Sequence, residues 1–279
     1  MAAPQLSPDS AGWTETISSL HDASRVFGAL LKRHRTKRKH WWHASLRPSL
    51  FGVTTGVLRG PIDVELELDL CGSLLRLRSS SGEDREEPLR GQSALEISTA
   101  VAEFFDSVGF PTDASQYGDH ERKDEAQPGY SVEIAASLGD ALRFVATQFA
   151  ELRATFRTEA SPIQLWPHHF DLSMLWLPGT LIEGQDPADE EHSDKQLNFG
   201  FTFGDGTIDE PYLYVSAYPQ PAAFESLELP AGARWQSEGF NGVVVTYATV
   251  AKQSNPAEYL QDLWQRCIAM GKAELGTRA

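Results

Sequence analysis

The chain has 279 residues, of which 41% are hydrophobic and 10% aromatic, so it can bury a core in one large domain or two small ones, and a wholly disordered chain is excluded. Its formal net charge of −15 argues against a nucleic-acid-binding protein, which needs a positive face. Two cysteines without metal-binding spacing, no signal-like leader and no apolar run of membrane-spanning length predict a cytoplasmic protein with no membrane partner.

A helix is predicted after a flexible tail of residues 1–12. Apolar residues recur at helical intervals from Trp13 to about Arg33, with polar residues between them. The run from Lys32 to Lys39 contains six Lys and Arg and no acid. We interpret this basic segment, residues 32–39, as the solvated end of the helix, where cations suit the helix dipole. Docking of an anion or a nucleic acid is the alternative.

Two extended segments are predicted next. His40-Trp41-Trp42-His43 predicts an extended stretch with one indole on each side. Residues 64–70 alternate strictly between apolar and charged positions, which predicts a half-buried strand. A two-residue turn at Gly72-Ser73 would pair its acids with arginines on the solvent face, so we interpret these charges as structural rather than catalytic. The predicted pairs are Asp69 with Arg76 and Glu67 with Arg78.

The middle of the chain predicts a loop followed by two helices. The loop covers residues 79–91, and Ser98 is predicted to cap a helix that Gly109 ends. Residues 112–129 predict an irregular segment. A longer helix is predicted from Ser137 to about residue 156, because its apolar residues step by four and three along one face.

The C-terminal half predicts mostly strands. Gly204-Asp205-Gly206 supplies a turn, and Asn255 is predicted to cap a final helix that runs to Leu275. The acidic segment, residues 183–194, holds six acids and no Lys or Arg, which is typical of a mobile surface loop. The strands are predicted at residues 163–177, 197–203, 212–217 and 242–250.

These elements predict an α+β fold, with largely antiparallel sheets packed against several amphipathic helices. We expect residues 13–279 to form a single domain. Two similar halves, about 13–130 and 131–279, are an alternative organisation, because both show strands followed by a helix.

The candidate chemistry concentrates in the predicted strand 163–177. Strand periodicity places His169, Asp171 and Ser173 on one face, with neighbours roughly 7 Å apart at their Cα atoms. That spacing is too long for a Ser-His-Asp relay but suits one divalent metal between two side chains. His169, Asp171 and Glu210 are therefore candidate catalytic residues, and His169 and Asp171 are candidate metal ligands. A third ligand would come from His43, His192, Asn198 or Glu210.

An aromatic cleft is the second candidate feature. Adjacent indoles and histidines suit a wall that binds a small molecule, because such sites combine aromatic surface with few polar groups. The alternative for every member is a role in the core or in ordinary hydrogen bonds. The predicted lining is His43, Trp41, Trp42, Trp166, Tyr212 and Tyr214.

A different class of function is open at this point. The protein could be a non-catalytic interaction module that contacts a partner through its basic segment 32–39 and its acidic segment 183–194. This hypothesis needs no cleft.

The order and spacing of several uncommon motifs resemble a bacterial family of unknown function over nearly the whole chain. The resemblance implies one conserved unit and no particular chemistry or cofactor. Typical members have small residues in place of His168-His169, and a Ser-His-Glu in place of Asp194-Lys195-Gln196, so a metal site at the histidines is not implied. The matching motifs are Leu20-His21, His40-Trp41-Trp42-His43, Thr54-Thr55-Gly56, Ser161-Pro162 with Trp166, Phe170-Asp171-Leu172 and Ala217-Tyr218-Pro219-Gln220-Pro221.

Overall fold

The computed structural model describes residues 2–111 and 125–276, and its helices and antiparallel sheets confirm the α+β class. Most of the predicted irregular segment 112–129 therefore lies outside the described residues. No described helix is long and apolar enough to cross a membrane. The chain divides into two compact units: an N-terminal unit of Leu6–Arg143 with Gln164–Phe170, and a C-terminal unit of Met1–Gln5, Phe144–Ile163 and Asp171–Ala279. The flexible tail, the single domain and the two similar halves stay predictions.

The N-terminal unit packs two helices against an antiparallel sheet with strand order β1-β2-β3-β4-β5. Helix α1 contacts β3 and helix α2 contacts β4, and four strand leucines are fully buried together with Phe27 and Phe105 of the helices in a core that excludes solvent. The elements are α1 Trp13–His34, β1 Arg47–Pro48, β2 Gly52–Thr54, β3 Val64–Asp69, β4 Leu74–Ser79, β5 Asp84–Pro88, α2 Ala94–Val108, the start of α3 Val132–Ala154, and β6 Gln164–Trp166.

The β3–β4 hairpin confirms the predicted strand and corrects its register. Glu67 lies opposite Arg76 and Asp69 lies opposite Leu74, two residues away from the prediction. The turn is longer because Oδ1 of Asp69 accepts a hydrogen bond from the backbone N–H of Gly72 at 2.6 Å. The prediction of a solvent-facing acidic row is wrong as well, since Glu67 and Asp69 are both buried.

Two predictions between β4 and α3 are wrong. Residues 79–91 are not all loop, because β5 forms the edge of the sheet with charged side chains exposed on alternate positions. Helix α2 begins four residues before Ser98. Its cap is Ser93, which forms a capping box with Glu96, and Ser98 is buried inside the helix.

Five strands of the second antiparallel sheet lie in the C-terminal unit, in the order β10-β11-β9-β8-β7. Its apolar face carries Phe199 and Phe201, and Trp264 and Phe149 of the helices pack against it. The elements are the remainder of α3, β7 Asp171–Trp176, α4 Glu190–Ser193, β8 Gln196–Thr202, β9 Tyr212–Tyr218, β10 Arg234–Gln236, β11 Gly242–Thr246, α5 Tyr247–Ala251 and α6 Pro256–Leu275.

The final helix and the β8–β9 hairpin confirm their predictions, including the Asn255 cap and the end at Leu275. Three boundaries are wrong. Helix α3 begins at Val132, where Ser131 Oγ accepts from the Ile134 N–H at 3.2 Å, rather than at Ser137. The predicted strand 242–250 becomes helix after Thr246, whose side chain caps α5. The predicted strand 163–177 is two strands, β6 and β7, with a turn between them.

Candidate functional site

The turn after α1 is the most unusual backbone of the N-terminal unit. Lys39–Ala44 forms a 3₁₀-type turn, so the predicted extended segment is wrong. His40 and Trp41 both have positive φ values, 46° and 58°, in the left-handed region that side chains with a Cβ rarely adopt. Alternate rings stack in this compact form: His40 on Trp42 at 5.9 Å and Trp41 on His43 at 5.5 Å between ring centroids. An extended segment would place these ring pairs farther apart.

Arg47 closes this turn from the following strand. Its Nη2 donates to the Trp42 carbonyl at 2.9 Å, and its Nη1 donates to Ser45 Oγ at 2.7 Å. The fully buried Ser45 hydroxyl also lies 2.9 Å from Oε1 of Gln164 in β6. Within the part of the chain that the structure describes, the buried indole N–H of Trp42 has no hydrogen-bond acceptor. The turn therefore combines tight polar contacts with one unsatisfied donor.

A second turn follows β6 and carries the paired histidines. The Phe170 N–H donates to the Trp166 carbonyl at 2.8 Å, and Phe170 has a φ of 56°. The prediction that His169 and Asp171 lie on the same face of a regular strand is therefore wrong, because Pro167 starts a turn where the strand was expected to continue. The exposed His168 and His169 rings lie 4.2 Å apart, and Trp166 contacts His168 edge to face at 5.7 Å.

Both turns lie beside the C-terminal end of α1. The backbones of Leu46 and Leu165 pair in antiparallel fashion, so the two turns leave this pair at the same end. Pro167 packs on Gly28 of α1, where an added Cβ would lie only 2.7 Å from the Pro167 Cβ. Lys32 is one helical turn beyond Gly28 on the same face.

Seven side chains of these segments form a group that we call the basic cluster. Burial and the charges of Arg35 and Arg38 lower the pKa of Arg47 to about 10. Burial and the charge of Arg38 likewise lower the pKa of Arg35, whose Nη2 donates to the Thr55 carbonyl. Such mutual effects mean that the cations lie near one another. The members are Lys32, Arg35, Lys37, Arg38, Arg47, His43 and His168.

The two histidines of the basic cluster are held neutral at pH 7. His43 is buried, and its Nδ1 accepts a hydrogen bond from the Arg38 backbone N–H at 3.1 Å. Burial and the charges of Lys37, Lys32 and Arg35 lower its pKa. Partial desolvation, with His169, Lys32 and Arg25 nearby, lowers the pKa of His168 to about 4. The charge of Lys32 thus contributes to the lowered pKa of both histidines.

The permanent cations of the basic cluster lack acidic partners in the described part of the chain. Among residues 2–111 and 125–276, no carboxylate pairs with Lys32, Arg38 or Arg47, nor with Arg35 or Lys37. Lys37 instead places its ammonium 5.2 Å from the centroid of the Trp41 ring, which is 44% exposed. Sequence reasoning found the basic segment but missed Arg47 and His168, since only the fold brings these distant positions to it.

The C-terminal unit contains the other predicted site residues. The Tyr214 hydroxyl donates to Oδ2 of the buried Asp171 at 2.6 Å. Burial and Asp171 raise the pKa of Tyr214 well above its usual value, so the phenol stays a donor. Tyr212 donates instead to the exposed Asp205. Glu210 is exposed just before β9.

The structure thus brings Asp171 and Tyr214 together in the C-terminal unit. It brings Trp41, Trp42 and His43 together in the N-terminal unit. A cleft that combines both sets stays a prediction. Over the described residues, no group of three or more His, Cys, Asp and Glu is placed to hold a metal ion. The use of His169 and Asp171 as metal ligands stays a prediction too. The exposed His192, named as a third ligand, pairs with Asp189 at 2.9 Å.

Comparison with known proteins places the chain in one family. Residues 4–276 match a family of unknown function, DUF5996, and the chain belongs to that family. The resemblance found in the sequence motifs, to an uncharacterised family over the whole chain, is thereby confirmed. No curated protein matches the chain, and no solved structure does.

Proposed function

We propose that this member of a family of unknown function binds a small anionic molecule at the basic cluster of its N-terminal unit. The observation that carries the proposal is the gathering of five cations on the end of α1, the link after it and the start of β1, without an acidic partner among the described residues. They are Lys32, Arg35, Lys37, Arg38 and Arg47. The chain as a whole has 39 Asp and Glu. Acids are therefore abundant, yet none of the described ones neutralises these cations.

The Lys39–Ala44 turn, which carries His43 of the cluster and which Arg47 closes, is unfavourable to fold. Two consecutive left-handed residues cost on the order of 1–3 kcal/mol each, and a buried N–H without an acceptor, such as that of Trp42, costs about 1–3 kcal/mol. Repulsion between Arg35, Arg38 and Arg47 adds to this cost. Proteins concentrate such unfavourable features at functional sites, where binding energy offsets them. An anion would relieve the repulsion directly.

The cluster provides two kinds of cation for such a ligand. Lys32, Lys37 and Arg38 are exposed, and no side-chain hydrogen bond to another described residue restrains their charged groups. They can therefore reach a ligand. Arg35 and Arg47 are half-buried and held by backbone carbonyls, so they supply a fixed positive field beneath it. The three exposed cations therefore contact the ligand, and the two restrained arginines determine where it binds.

The test is a titration of the purified protein with pyrophosphate, followed by calorimetry and by tryptophan fluorescence. The double variant Lys32→Gln with Arg38→Gln removes two exposed charges without touching the core. The matched control is Lys252→Gln with Lys272→Gln, two exposed lysines of the C-terminal unit.

We expect saturable binding by the native chain and the control, and roughly tenfold weaker binding by the cluster variant, from the loss of two charge contacts. The absence of saturable binding by the native chain would overturn the proposal. Equal affinity of the two double variants would do so as well, because the change in total charge is the same in both.

A further inference from the structure

We propose that the ligand of the basic cluster is a short oligoanion, with at least three negative charges on adjacent groups, as in a diphosphate or triphosphate. This inference rests on the proposed function and specifies its ligand class. It excludes singly charged acids on one side and long nucleic acids on the other.

The number of cations in the cluster sets the smallest charge that we expect the ligand to carry. The five permanent cations lie on three successive segments: Lys32 on the end of α1, Arg35, Lys37 and Arg38 on the link that follows it, and Arg47 at the start of β1. A monoanion would neutralise one of them and leave the others repelling. An anion with three or more charges on linked groups can face cations of all three segments at once. Guanidinium groups also suit phosphate oxygens, since they present several N–H donors in one plane.

The arrangement of the cluster gives the ligand two ends. His43 and Arg38 are linked at the first turn, whereas His168 lies in the second turn, where Pro167 packs on Gly28, one helical turn before Lys32. Arg38 therefore marks the end of the cluster at the first turn, and Lys32 the end at the second. A single compact group would reach one end, and a chain of linked charged groups would reach both. The two neutral imidazoles add hydrogen bonds there at pH 7.

The negative charge of the whole chain limits the length of the ligand. With a net charge of −15, surface outside this cluster repels a polyanion, and a long nucleic acid would have to leave the cluster and pass over it. Each added nucleotide beyond the cluster would therefore bring no gain in affinity. The preferred ligand ends where the cations end.

The test compares probes of increasing charge at constant ionic strength: acetate, inorganic phosphate, pyrophosphate and tripolyphosphate, followed by single-stranded oligonucleotides of increasing length. We expect acetate to bind least and tripolyphosphate most tightly, with roughly a tenfold gain from phosphate to tripolyphosphate. Among the oligonucleotides, we expect affinity per molecule to stop rising after the first few nucleotides.

Two results would overturn the inference, and in either case saturable pyrophosphate binding that the cluster variant weakens would leave the proposed function standing. One is equal affinity for phosphate and tripolyphosphate, which would indicate a site for a single anionic group. The other is affinity that keeps rising with oligonucleotide length and shows a steep salt dependence, which would indicate a nucleic-acid surface. Failure of every probe to bind would remove the inference and the proposed function together. In each case the Lys32→Gln, Arg38→Gln variant must lose the binding for it to count as binding at the cluster.

Discussion

The guanidinium of Arg76 donates two hydrogen bonds to Oδ2 of Asp69, from Nε at 3.0 Å and from Nη2 at 2.8 Å. The two residues are diagonal neighbours rather than cross-strand partners, since Arg76 lies opposite Glu67. The Asp69 side chain is only 3% exposed. Removing the partner of a buried carboxylate leaves an uncompensated charge inside the protein.

Replacing Arg76 should therefore destabilise the fold strongly. We expect Arg76→Met to lower the free energy of unfolding by about 3–5 kcal/mol, because the buried Asp69 charge is left uncompensated. The control is Arg59→Met, which removes an exposed pair with Asp63 and should cost less than about 1 kcal/mol. Urea denaturation measures both values. Similar losses in the two variants would contradict the structural role given to the Asp69–Arg76 pair.

This hairpin illustrates which features the sequence determines. The charge pairs Asp69 with Arg76 and Glu67 with Arg78 were predicted correctly, although the register was not. A shift of two residues keeps every side chain on its face, and long arginines reach their acids diagonally. The face pattern follows from local alternation, whereas the turn length depends on how the Asp69 side chain binds the Gly72 N–H.

Gly200 provides a second stability test. A Cβ at Gly200 would lie 2.0 Å from Cζ of Tyr214, whereas one at Gly206 in the β8–β9 turn would meet no atom within 4 Å. We expect Gly200→Ala to lower the free energy of unfolding by about 3 kcal/mol, because the Tyr214 ring must move and its bond to Asp171 breaks. Gly206→Ala should change it by less than about 1 kcal/mol. Thermal unfolding of the two variants checks this, and a harmless Gly200→Ala would show that the ring has room to shift.

The two tyrosines of β9 differ in the burial of their acids. Tyr214 donates to the buried Asp171, and Tyr212 donates to the exposed Asp205. We expect Tyr214→Phe to cost about 1–3 kcal/mol, because a buried carboxylate loses a donor that water cannot replace. Tyr212→Phe should cost about 1 kcal/mol or less, since water can solvate Asp205. Chemical denaturation of the pair tests the difference, and the reverse order would contradict it.

The candidate site was less predictable than the fold. Helix α6 and strand β9 follow from local pattern, and both were predicted closely. The basic cluster depends on contacts between distant segments, such as Leu46 with Leu165 and Gly28 with Pro167. The periodicity of residues within one helix or strand does not indicate which distant segment that element will contact. The left-handed backbone of His40 and Trp41 was also unpredictable, because residues with a Cβ rarely adopt that conformation and no glycine or asparagine marks this turn.

Anion binding at the basic cluster should strengthen as the pH falls. In the free protein the pKa of His168 is lowered to about 4, so its ring is neutral at pH 7. A bound anion stabilises the charged ring and raises that pKa. Between the free and bound pKa values the complex holds more protons than the free protein, so affinity increases as pH decreases through this window and is flat above it. Sulfate is a suitable probe, because its own charge does not change there.

The measurement is the sulfate dissociation constant by calorimetry at several pH values from 8 down to 5, at constant ionic strength. His168→Ala should weaken the dependence, because only His43 of the cluster histidines remains to take up a proton. His192→Ala, at an exposed histidine of the C-terminal unit, should leave it intact. Titration in two buffers with different ionisation enthalpies should also show net proton uptake on binding in the native chain and less in His168→Ala. A dissociation constant that does not change with pH, or one that rises as pH falls, would mean that the bound anion does not approach this histidine.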